Sequence, residues 1–137
     1  MKGQITIDFM LSMGAALVIF ILLLDATFNQ ETQARELMQE ADARNLMEDL
    51  AVNIDSVYLS GGNSSRVYTL PETLSGGVSY TLSVYPRSIL LGYENGGQKY
   101  YSTRILAESI NGTSFVSLAP GKIRITNVDY TIYFENE

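Results

Sequence analysis

The sequence predicts an α+β protein in which a long N-terminal helix packs on a C-terminal antiparallel β-sheet head. Three observations carry that expectation. Residues 9–24 form a run of sixteen apolar or small residues without a single charge. Residues 29–58 contain neither Gly nor Pro and space their apolar positions at the helical period. After the loop-like stretch Ser60-Gly61-Gly62-Asn63-Ser64-Ser65 the apolar period drops to two, as in half-buried strands.

The 137 residues accommodate one domain and a long appended element. Cysteine is absent, so neither a disulfide framework nor a thiolate metal site can form. Histidine is absent too, which removes the commonest general base and metal ligand. No Gly-rich phosphate loop, G-x-S-x-G motif or ligand cluster is present. The sequence therefore reads as non-enzymatic, with no catalytic, cofactor or metal site. The net charge of −6 is concentrated in the stem. Residues 29–59 hold seven acids against Arg35 and Arg44, while residues 60–137 hold six acids and six bases. A neutral head on an acidic stem gives no electrostatic footprint for nucleic acid.

The apolar run spans about 24 Å as a helix, slightly less than the ~30 Å hydrocarbon core of a bilayer. Extending it over residues 5–28 makes it long enough and places Asp8 and Asp25 near the two interfaces. Because it is apolar all round, it reads as a membrane or bundle-core helix. Gly14, Ala15 and Ala16 either permit close helix packing or mark a weak point in the helix.

Over residues 29–59, Glu31–Arg35 and Glu40–Arg44 are acid-before-base pairs four residues apart, the favourable orientation on a helix. The apolar stripe changes sides in this stretch. Ala34, Leu37, Met38 and Ala41 share one face, whereas Ala43, Leu46, Met47, Leu50, Ile54 and Val57 share nearly the opposite one. Either the helix bends near Asp42, or its second half docks on the head while another molecule covers the first. Glu48 and Asp49 fall on the polar side and read as solvated.

In the head, Val78, Tyr80, Leu82 and Val84 alternate with polar residues until Pro86 stops the run. Val128, Tyr130, Ile132 and Phe134 alternate in the same way and read as one strand. Further strands are expected at 66–70, 89–93, 99–106, 115–118 and 122–126. Glu94-Asn95-Gly96-Gly97 reads as a hairpin turn, since Asn and Gly tolerate positive φ. Tyr100, Tyr101, Tyr130 and Tyr133 are expected to pack in or over the sheet. Asn63-Ser64-Ser65 and Asn111-Gly112-Thr113 match N-x-S/T in loop-like sequence, making Asn63 and Asn111 candidate N-glycosylation sites.

The N-terminus carries the most specific motif. Lys2, Gly3, Gln4, Thr6 and Phe9 lead directly into the apolar run, whereas an ordinary secretory signal is cut after its apolar core. This order resembles the class III signal peptide of archaeal type IV pilin-like proteins, with Asp8 standing where that family usually has Glu. The resemblance covers about thirty residues. It implies cleavage between Gly3 and Gln4, and hence a cleaved leader 1–3 and a transmembrane or filament-core helix 4–28, ahead of the amphipathic helix 29–59 and the head 60–137 that the periodicity gives. It further implies that Asp8, beside Phe9, pairs with the new Gln4 ammonium or a neighbour's during assembly. Asp keeps the charge of Glu but reaches one methylene less far.

The function implied is that of a structural pilus subunit, inserted in the membrane as a precursor and later part of an extracellular surface filament. Partners implied are copies of itself, the membrane, a prepilin peptidase, an assembly ATPase and a membrane platform protein. Two alternatives stand beside this reading. One is a minor or tip pilin whose head is an adhesive binding module. The other is a single-pass membrane-anchored surface protein that never polymerises.

Overall fold

The computed structural model describes the backbone of residues 2–137 and side chains from Gly3 onward. Met1 of the 1–3 leader lies outside the described residues. The chain divides into two compact units, Met1–Glu36 and Leu37–Glu137, and helix α1 (Lys2–Leu59) contributes to both. The class is α+β, as the periodicity predicts.

In the first unit the helix is exposed throughout. Its hydroxyls fold back on their own backbone, Ser12 donating to Asp8 O at 2.8 Å and Thr27 to Leu23 O at 2.8 Å. Such bonds satisfy polar side chains without solvent. The Glu31–Arg35 pair forms at 2.8 Å.

In the second unit α1 is unbroken at Asp42, so the change of apolar face is not a helix break. Ala43, Leu46, Met47, Leu50, Ala51, Ile54 and Val57 are buried, while Leu37 and Met38 remain 67% and 60% exposed. The buried face is the cover that the strands require. Glu40–Arg44 pairs at 2.7 Å, and Glu48 and Asp49 are exposed as expected. Exposed pairs of this kind contribute little, about 0.3–0.5 kcal/mol.

Eight strands follow: β1 (Ser65–Leu70), β2 (Tyr80–Tyr85), β3 (Ser88–Glu94), β4 (Gln98–Arg104), β5 (Ser109–Ile110), β6 (Val116–Leu118), β7 (Gly121–Val128) and β8 (Thr131–Asn136). They form two four-stranded sheets, ordered β1-β7-β8-β5 and β4-β3-β2-β6. All pairings are antiparallel except β5 with β8. Ile123, Ile125 and Ile132 of the first sheet meet Leu82, Val84, Ile89 and Leu91 of the second and the buried helix face in one core. Tyr80 lies at the edge of this core, its hydroxyl donating to Pro71 O. Burial, with the nearby Tyr68 as a smaller cause, pushes that hydroxyl up to about 12. It stays protonated as a donor at ordinary pH.

The run Val128–Glu135 is not one strand. β7 ends at Val128 and β8 begins at Thr131, the two pairing across Asp129 and Tyr130. Both turn residues have positive φ, 50° and 63°, the two-residue geometry that matches strand twist. Ile132 and Phe134 keep the inward face, while Val128 and Tyr130 are exposed. The Glu94–Gln98 connection is the hairpin expected, and Pro86-Arg87 makes a second tight turn.

The tyrosines pack as expected only in part, since Tyr100, Tyr130 and Tyr133 are exposed. Tyr101 stacks on Tyr93 at 5.9 Å, and Tyr130 meets Tyr58 edge-on at 5.9 Å. Tyr100 lies across Gly92, its partner in the β3–β4 register. A Cβ added at Gly92 would stand 2.9 Å from that ring and 3.1 Å from Thr81 Oγ1. The ring thus covers a glycine that otherwise packs nothing. Gly92→Ala is expected to cost about 1 kcal/mol by displacing the ring. Urea melts should show a smaller cost in a Tyr100→Ala background, where only the Thr81 contact remains; an unchanged cost would show that the ring is irrelevant.

Candidate functional site

Gly3 and Gln4 lie in the first turn of α1, with Asp8 and Phe9 one to two turns further on. Gln4 and Asp8 are four residues apart and share one helix face. Among the described residues no ion pair engages the Asp8 carboxylate. A carboxylate beside an apolar helix is costly in lipid unless it finds a cation.

The segment that follows is chemically plain. α1 contains an 18-residue window of mean hydropathy 2.5, none of it buried within the chain. The helix is therefore long and apolar enough to cross a membrane. Ile7, Phe9, Leu17, Phe20 and Leu24 all expose their side chains, although they point in different directions around the helix. The helix continues through Gly14, where an added methyl group would meet nothing within 4 Å in the single chain.

Within the second unit, polar side chains of α1 hold the head in place. The Asp42 carboxylate accepts from Ser75 N at 3.0 Å and from the Ser75 hydroxyl. Gln39, buried, accepts from Asn95 Nδ2. Asp55 accepts from Leu106 N at 2.8 Å. At the helix end, Asn127 Nδ2 donates to Val57 O at 3.2 Å and Tyr58 O at 3.1 Å, and Ser64 Oγ donates to Val57 O at 2.7 Å. Carbonyls in the last helical turn have no intrahelical partner, so these bonds satisfy groups that burial would otherwise orphan. Asn127 is fully buried. Sequence reasoning missed it because one Asn in a strand looks like any other polar residue.

The two sequons flank the β7–β8 hairpin at one end of the first sheet. Asn63 N donates to Asn127 O at 2.8 Å, and Asn111 N donates to Ile132 O at 2.8 Å. Asn127 and Ile132 face each other in the sheet register. The two asparagines therefore lie at opposite edges of the same sheet end. Asn63 is exposed with no side-chain hydrogen bond, whereas Asn111 Oδ1 accepts from Phe134 N at 2.9 Å.

Among the described residues no group of three or more acids is placed to hold a metal ion. Compared with known protein families, curated proteins and solved structures, the chain matches none.

Proposed function

We propose that this chain is the structural subunit of an archaeal type IV pilus-like filament, built through its N-terminal apolar helix. The observation that carries the reading is an apolar helical segment uncovered on every side, in a chain whose later helix face, from Ala43 to Val57, is buried by its own head. Such a segment needs lipid before assembly and other copies of itself afterwards, because water would leave it aggregated. The motif Lys2-Gly3-Gln4 ahead of that segment supplies the family resemblance. Exchange of lipid contacts for helix packing then drives assembly. Extraction energy comes from an ATPase partner, and a prepilin peptidase and platform protein complete the machinery.

Processing and assembly test this reading together. Surface filaments from native cells should contain protein beginning at Gln4. Surface-exposed protein still carrying Met1-Lys2-Gly3 would instead indicate a non-polymerising anchor. Asp8→Asn should insert and be cleaved yet give few filaments, since its pairing with an ammonium is lost. Asp8→Glu should assemble at least as well as the natural residue. Filament yield by electron microscopy is the readout. An undiminished yield from Asp8→Asn would make the carboxylate a mere interfacial group.

A further inference from the structure

The two N-x-S/T tripeptides are alike in sequence but not in structure. Asn63 sits in the loop after α1 with φ at 67°, its side chain exposed and making no hydrogen bond among the described residues. It borders an open groove on the outer face of the first sheet, with Arg124, Thr126, Tyr133 and Glu135 along it. Its middle residue, Ser64, is occupied in the helix cap, whereas Ser65 leaves its hydroxyl exposed and unbonded.

Asn111 is half-buried and its amide is already in use. Oδ1 accepts the Phe134 amide at 2.9 Å, and the hydroxyl of Thr113 donates to Ile110 O at 3.3 Å and Phe115 O at 3.1 Å. Modification of the folded head requires the Asn side chain to be drawn out to the transferring enzyme, which at Asn111 breaks the Oδ1 bond to Phe134 N. Losing a partner there leaves a backbone donor unsatisfied, which destabilises the fold. The preference holds for modification of the folded head.

We infer that Asn63, and not Asn111, carries an N-linked glycan, which lies out over the groove beside Tyr133. The inference rests on the head being exported, as the proposed function requires. The donor is a polyprenyl-phosphate- or diphosphate-linked oligosaccharide. Asn63 Nδ2 bonds to the anomeric carbon, the bond from that carbon to the phosphate oxygen breaks, the amide loses one proton, and the lipid phosphate leaves.

Trypsin separates the sites, since cleavage after Arg44, Arg66, Arg104 and Lys122 puts Asn63 in residues 45–66 and Asn111 in residues 105–122. In full-length protein from native cells, the 45–66 peptide should carry a sugar mass and the 105–122 peptide none. Ser65→Ala should abolish that mass while leaving every contact of Asn63 in place, and Asn111→Gln should retain it. A separate sample of intact cells treated with a membrane-impermeant amine reagent reports orientation through Lys99 and Lys122. Sugar on residues 105–122, or bare peptides with labelled lysines, overturns this inference alone. Bare peptides with unlabelled lysines overturn both the inference and the exported-subunit reading.

Discussion

A fragment of residues 37–137 is expected to fold as a soluble, monomeric, β-rich domain, whereas one beginning at Ser60 is expected to show no cooperative unfolding transition. The shorter fragment loses Leu46, Met47, Leu50, Ile54 and Val57, all buried against the sheets. Burying each such side chain is worth about 1.5–3 kcal/mol. Together they match the whole stability of a small domain, about 5–15 kcal/mol. It also loses the Asp42–Ser75 and Asp55–Leu106 hydrogen bonds and the carbonyls that Asn127 caps. Circular dichroism and urea denaturation of both fragments would check this. Equal stability would mean that α1 is not part of the core.

Asn127→Asp is expected to destabilise the head strongly. Nδ2 is the group that serves Val57 O and Tyr58 O, while Oδ1 has no partner among the described residues. The loss therefore falls entirely on the nitrogen. Replacing it with a carboxylate oxygen sets a buried negative charge against two carbonyl oxygens. An uncompensated buried charge of this kind costs about 3–5 kcal/mol. Asn127→Ala removes the donor without adding charge and should cost about 1–3 kcal/mol. The pH dependence separates the two. Burial raises the folded pKa of the new carboxyl above its unfolded value of about 3.9, so the unfolded chain releases its proton first. The variant's stability should be greatest below about pH 4 and fall as pH rises through the folded pKa, relative to Asn127→Ala. Urea melts of the 37–137 fragment at pH 4 and pH 7 would show this. Parallel behaviour of the two variants at both values would mean that the site is open to water.

Much of the architecture was legible from periodicity. The helix, the strands near 66–70, 78–85 (β2 begins at Tyr80), 89–93 and 122–126, and the choice of Leu46, Leu50, Ile54 and Val57 as the docking face all follow from spacing alone. Period reports which side of an element is buried, and burial is what shapes that spacing. The turn at Asp129-Tyr130 escaped because its alternation continues across the turn and Asp-Tyr is not a turn pair like Asn-Gly. β5 escaped because two residues carry no period.

The candidate site divides along the same line. The Lys2-Gly3-Gln4 motif, the apolar run and both sequons are local patterns, readable wherever they occur. Which sequon has a free amide is not local, because Asn111 is engaged by Phe134, 23 residues away. Asn127 reaches the end of α1 across about 70 residues.

Local spacing along the chain already settles helix, strand and apolar face, since each depends on neighbours within a turn or two. Strand partners and polar partners arise only when distant segments are brought together. The chain crosses between the two sheets, β1 and β5 joining β7 and β8 while β6 joins β2. No residue's neighbours in sequence announce those contacts. They form because one core must bury the inner faces of both sheets and the helix at once, and every buried polar group must then find its partner among whatever lies opposite.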